Sequence, residues 1–152
     1  MNRRNLAFAG DSVDILTVQQ RSERMRRVRG KDTKPERAVR RIATDMGYRY
    51  RLQYSKLPGR PDLAFPGRRR VIWVHGCYWH RHDGCRLAST PKSHIQFWQE
   101  KFEANQSRDL KNADMVRQLG WQVLVIWQCE TRNEDSVGAK IAEFLGPTKL
   151  IG

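Results

Sequence analysis

Residues 71–85, VIWVHGCYWHRHDGC, constrain this chain more than any other stretch. Val71 to Val74 read as an apolar, mostly β-branched strand. The eleven residues that follow hold two cysteines, three histidines, two glycines and two aromatics. A loop of that composition is too polar to pack by itself, so something must hold it. Cys77, His82 and Cys85 are spaced C-x4-H-x2-C, and Cys129 is the third cysteine of the chain. These four are enough for a closed tetrahedral zinc site, which leaves no open position and is therefore structural. His75 and His80 compete with His82 on composition; its short spacing to Cys85 favours His82. The alternative is a set of ordinary buried thiols.

The charge narrows the class of partner. With 29 Lys and Arg against 16 Asp and Glu, the net charge is +13. An excess of that size favours nucleic acid or an anionic membrane surface. Arginine dominates, and its planar fork suits phosphate. No stretch reaches the roughly 20 apolar residues that span a bilayer, and Met1 to Asp11 lack the apolar length of a signal peptide. Three cysteines cannot all pair with one another, which fits ligands in a reducing cytoplasm. The length suits one domain with a real core.

Residues 1–21 show no sustained period and read as a flexible lead-in. The run at 22–31 holds Arg24, Arg26, Arg27, Arg29 and Lys31, with Met25 among them. It is either a solvated tail or an arm that orders on DNA phosphates. Thr33-x-x-Glu36 followed by helically spaced Val39, Ile42, Ala43 and Met46 predicts a helix from about Pro35 to Met46. Residues 48–53 alternate as a strand, 57–61 turn, 62–65 and 71–74 form a hairpin, and 121–127 read as a central strand. One long helix, or two that break near Asn105-Gln106-Ser107, occupy 91–118, and a last helix covers 133–145. The order predicts an α/β or α+β core, a mixed central sheet flanked by helices.

Asp62 opens one hairpin strand and the 75–85 loop leaves the end of the other, so Asp62 can meet His75 and His80. An Asp after Pro is often a turn residue, but here an apolar run follows it. A carboxylate with two imidazoles suits Mg²⁺-assisted phosphodiester hydrolysis: the hard cation takes carboxylate and phosphate oxygens, and one histidine withdraws a proton from water. The other histidine can neutralise phosphate or protonate the leaving oxygen. Glu36 reads first as a capping acid and second as a metal-site carboxylate. Trp73, Trp121 and Trp127 suit core or strand-edge packing. Tyr78 and Trp79 sit among ligands and polar residues, where stacking on bases or wedging between base pairs fits better than a core role.

The segments SERMRRVRGKDTKPE, LPGRPDLAF, VHGCYWHRHDGC, FW at 97–98 and GWQVLVIWQC together make the chain resemble the very-short-patch repair (Vsr) family of DNA mismatch endonucleases. The resemblance runs from about Arg21 to Glu130. It implies a restriction-endonuclease-like core with a structural zinc site, and a single domain at 22–152 with a basic arm at 22–32. It implies a Mg²⁺-dependent enzyme that nicks duplex DNA beside T:G mismatches arising from deamination of 5-methylcytosine. The nick would leave a 5′-phosphate and a 3′-hydroxyl. By the same resemblance Asp62 is the Mg²⁺-binding aspartate, His80 activates water, and Glu36 and His75 complete the catalytic group. Cys77, His82, Cys85 and Cys129 are the zinc ligands. Tyr78, Trp79 and Trp98 wedge into DNA, and Met25 inserts from the other groove. Mismatch-repair proteins and a cognate cytosine methyltransferase encoded nearby are implied as partners. A monomer in the bacterial cytoplasm, at the nucleoid, completes the implied setting. The chain departs from the pattern at Val74 (threonine in the family), Tyr78 (phenylalanine) and Asp83-Gly84 (histidines). No E-x-K or D-x-K stands on the 71–74 strand, and histidines take that place in the family.

Overall fold

The computed structural model describes residues 32–148. The lead-in at 1–21, the arm with Met25, and residues 149–152 lie outside the described residues. The fold is organised on β3 (Arg70–His75). Its side chains alternate between two cores, as period-2 geometry requires. Ile72 and Val74 enter one apolar cluster, and Val71 and Trp73 enter the other. β3 is hydrogen-bonded antiparallel to β2 (Leu63–Phe65) and parallel to β4 (Gln122–Trp127). A short β1 (Arg51–Leu52) extends the other side, giving a four-stranded mixed sheet in the order β1-β2-β3-β4.

Helices cover both faces. Val39, Ile42 and Ala43 of α1 (Lys34–Asp45) and Val137, Ile141 and Leu145 of α3 (Glu134–Leu145) pack with Leu63, Phe65, Ile72 and Ile126. On the other face Val116 of α2 (Ile95–Gln118) joins Leu57, Ala64, Val71 and Trp73. The capping pattern works as read: Thr33 is the N-cap and accepts from the Glu36 N–H, with Pro35 in the first turn. The β2–β3 hairpin turns through a 3₁₀ segment at Pro66–Arg68.

Two expectations are corrected, and one open alternative is decided. The 121–127 strand is not central: β4 is the outer strand beside β3 among the described residues. Its continuous apolar pattern is real, because Leu124 and Ile126 join one core and Val123 and Val125 the other. Facing two cores demands apolar side chains on both faces, and says nothing of hydrogen-bonded neighbours. Of the alternatives for 91–118 the structure has the single helix, which starts at Ile95 and passes through Asn105 without interruption. The expected strand at 48–53 shortens to Arg51–Leu52.

Candidate active site and metal centre

The candidate residues gather at the C-terminal ends of the parallel pair β3 and β4. Crevices beyond the carboxyl ends of such strands are where side chains from several segments converge. Here Glu36, Asp62, His75 and His80 line one cleft of about 360 Å³ with Gln53, Trp73, Asp109 and Asn112. The structure therefore brings together all four residues picked out for catalysis.

Asp62 stands immediately before β2. Its Oδ2 accepts the Val74 N–H at 2.7 Å and its Oδ1 accepts from Gln53 Nε2 at 3.2 Å. Burial pushes its carboxyl from the usual value up to about 6, and the nearby Glu36 charge adds to the rise. The Val74 N–H, Gln53 and His80 pull the other way. A buried carboxylate beside a second acid lacks positive charge, and a hard divalent cation fits that oxygen-rich donor set. Glu36 is buried and keeps both readings: Oε2 accepts from the Thr33 hydroxyl at 3.0 Å, and the residue lines the cleft.

His80 Nδ1 meets Asp109 Oδ2 at 2.5 Å. A carboxylate only accepts, so the proton of this bond sits on Nδ1. His75 lies parallel to His80 with ring centroids 4.0 Å apart and meets Trp127 edge-on. Burial, then the charge of His80, lowers the His75 imidazole to about 4, so it is neutral at pH 7. His75, His80 and Asp109 also sit close enough to share a metal. The direct His80–Asp109 bond favours a proton-handling pair instead, since a protonated Nδ1 has no lone pair to give a metal.

Asp109 was missed in the sequence, where it is 29 residues from His80. The signal was there at helical spacing. Trp98, Phe102, Asn105, Asp109, Asn112 and Val116 recur along one stripe of α2. Polar residues within an otherwise apolar stripe mark the face that meets the site. Asn105 is buried, donates to the Trp79 carbonyl at 3.1 Å and accepts from Arg108 Nη2 at 2.7 Å. Gly59 lines the catalytic cleft beside Asn112 with a positive φ of +76°.

Cys77, His82, Cys85 and Cys129 converge within 4.8 Å of one another. His82 Nδ1 is 3.6 Å from Cys77 Sγ and 3.5 Å from Cys129 Sγ. A tetrahedral zinc ion with ordinary Zn–S and Zn–N bonds separates sulfur from nitrogen by about 3.6 Å. The donor set and spacing thus fit zinc. The choice among the histidines also resolves here, because His75 and His80 face the cleft and His82 faces the thiols. All three cysteines are free of disulfides. Burial drives the Cys77 thiol up to about 12, so it ionises only with a cation beside it. Cys77 N–H donates to Gln128 Oε1 at 3.2 Å, and His82 stacks on Trp127 at 4.2 Å.

Tyr78, Trp79 and Trp98 are half-buried and cluster on Phe102 of α2. Arg81 lies over Phe102 at 4.1 Å and donates to the Tyr78, Ala88 and Ser89 carbonyls, which fastens the loop that carries them. Met25, the fourth residue read as a wedge, lies outside the described residues.

Comparison with known proteins agrees with the geometry. The family model described as DNA mismatch endonuclease Vsr matches residues 13–86. The chain is 44% identical over 135 residues to the type II nicking enzyme V.XorIIP of Xanthomonas oryzae pv. oryzae, covering 89% of this chain and 98% of that protein. It is 38% identical over 121 residues to the type II nicking enzyme V.NmeAIP of Neisseria meningitidis serogroup A, covering 80% and 86%. It is 36% identical over 124 residues to the DNA mismatch endonuclease Vsr of Escherichia coli, covering 82% and 79%. The chain belongs to the Vsr family of DNA mismatch endonucleases, and so to the hydrolases that cleave DNA.

Proposed function

We propose that this protein nicks one strand of duplex DNA beside T:G mismatches left by deamination of 5-methylcytosine, and so opens very short patch repair. The observation that carries this reading is the convergence of Asp62, His80 and Glu36 in one cleft of a mismatch-endonuclease chain. The mixed sheet, with its site at the ends of β3 and β4, supports a restriction-endonuclease-like core. Residues 22–152 form the endonuclease domain, with a basic arm at 22–32 behind a lead-in at 1–21.

Asp62 would hold Mg²⁺ together with phosphate oxygens of the substrate, and such a cation would supply Lewis-acid polarisation of the phosphodiester and offset charge on the departing oxygen. His80 Nε2 takes the proton of the attacking water, and Asp109 holds the ring in the tautomer that can do so. His75, neutral and stacked on His80, orients that ring rather than supplying a positive charge. Glu36 adds a second carboxylate to the cleft. Hydrolysis leaves a 5′-phosphate and a 3′-hydroxyl, a primer end for repair synthesis. Cys77, His82, Cys85 and Cys129 would hold zinc, which would fix the loop from which His80, Tyr78 and Trp79 project. Tyr78, Trp79 and Trp98 wedge into the duplex from one groove and Met25 from the other. We place the enzyme as a monomer in the bacterial cytoplasm at the nucleoid, working beside mismatch-repair proteins and a cytosine methyltransferase.

The test uses Asp62→Ala and His80→Ala. Each is expected to bind a T:G duplex as wild type does and to lose Mg²⁺-dependent nicking by at least a hundredfold, the order expected for a lost general base or cation site. Nicking by His80→Ala at the wild-type rate contradicts the assignment.

A further inference from the structure

A second cleft, of about 600 Å³, lies across α1 from the catalytic one. Lys34, Arg37, Arg41 and Arg132 line it, with Gln128 and Thr131 between them. On α1, residues 34, 37, 38 and 41 recur at i, i+3, i+4 and i+7 and share one stripe. At 3.6 residues per turn that stripe stands about 150° from Glu36. The helix thus separates the two clefts.

The charges in the second cleft do not cancel. Glu134 pairs with Arg41, and the Arg37 guanidinium donates to the Asp32 carbonyl, with no carboxylate among the described residues to neutralise it. Among the described residues no carboxylate pairs with Lys34 or Arg132, and both are exposed. Among the described residues no aromatic side chain lines the cleft, so they offer nothing for a base or a nucleoside to stack on. What it offers is a concave surface of guanidinium and ammonium groups, the chemistry that takes phosphodiester oxygens. One wall is tied to the metal centre, since Gln128 also accepts the Cys77 N–H.

We infer that this cleft binds backbone phosphates of the same duplex that the catalytic cleft cuts, a few nucleotides from the scissile bond. The inference rests on the DNA-nicking reading. Its geometry is consistent with one duplex: a helix with its side chains is about 10–12 Å across, and a DNA strand places a charge every ~3.4 Å along the axis. Some three nucleotide steps therefore bridge the two clefts. The contact carries no base information, so it anchors the duplex across α1 and leaves mismatch selection to other groups.

The experiment measures binding of the full-length zinc-loaded protein to a T:G duplex across a salt series, with nicking kinetics alongside. Lys34→Ala with Arg132→Ala is expected to lower the slope of log affinity against log salt by about one to two, at ~0.9 per lost phosphate contact. Affinity near 0.1 M salt should fall about tenfold or more, with the loss concentrated in KM rather than kcat. Lys34→Glu with Arg132→Glu should deepen both effects, and these exposed positions leave the core untouched. An unchanged slope and KM in variants of a wild type that nicks removes this cleft from the DNA path. A wild type that neither binds nor nicks duplex DNA removes the nicking reading together with it.

Discussion

Asn105→Ala tests how the long helix disciplines the site. Asn105 is 3% exposed and its amide donates to the Trp79 carbonyl, one bond before His80. Alanine leaves that carbonyl unpaired, at a cost of about 1–3 kcal/mol. The lost bond from Arg108 adds little, because Arg108 is exposed and rehydrates. We expect destabilisation of roughly 2–3 kcal/mol, a fall of about 5–10 °C in Tm for a domain of this size. The catalytic effect should be larger in proportion. Freeing the Trp79–His80 peptide shifts the imidazole, and a displacement near 1 Å costs about a hundredfold. Asn105→Asp separates the two bonds: it keeps an acceptor for Arg108 but sets a carboxylate against the Trp79 carbonyl, so it should be at least as damaging at pH 7. Urea unfolding in zinc-replete buffer gives the stability, and single-turnover nicking gives the rate. An Asn105→Ala protein within ~0.5 kcal/mol of wild type, the scatter of ordinary surface changes, and nicking at full rate would refute the reasoning.

Gly59→Ala should cost about 2 kcal/mol and slow nicking, because φ is +76° and the new Cβ would lie 2.8 Å from Asn112 Cγ; an unchanged urea midpoint contradicts this. His75 has a folded pKa of about 4 against 6.5 unfolded, so its contribution to stability is full above 6.5 and lost as pH falls toward 4. His75→Gln escapes that loss, and its stability relative to wild type should rise by up to ~3 kcal/mol between pH 7 and 4. Asp62, raised to about 6, contributes the opposite slope in both proteins and cancels in the comparison. Metal analysis should return about one zinc per chain. Cys129→Ser should lose the fold of the 76–90 loop, seen as proteolytic nicking, whereas a stable and active zinc-free protein contradicts a structural role.

The parts legible in the sequence were those fixed by local pattern. The Thr33-x-x-Glu36 cap, the hairpin of 62–65 with 71–74 and the apolar strand at 71–74 each depend on a few neighbouring residues, and each is found where expected. Glu36, Asp62, His75 and His80 were picked out by residue type and by the family resemblance, and the fold brings them to one cleft. Spacing alone placed Cys77, His82 and Cys85 together, with Cys129 joining at a distance of 44 residues in sequence. What escaped was long-range. The edge position of β4 is a matter of hydrogen-bonded neighbours, which side-chain pattern does not encode. Asn105-Gln106-Ser107 looks like a break because those residues are polar, yet Asn105 is buried as a bridge to the loop. Asp109 gains its meaning only when α2 crosses beneath His80.

The most direct measurement of the central claim is strand nicking on two duplexes that differ at one base, T:G and its fully paired counterpart, with and without Mg²⁺. The account predicts a single nick beside the mismatched thymine, dependent on Mg²⁺ and abolished by Asp62→Ala. Equal cutting of the paired duplex would contradict mismatch specificity, and cutting undiminished in Asp62→Ala would contradict the site.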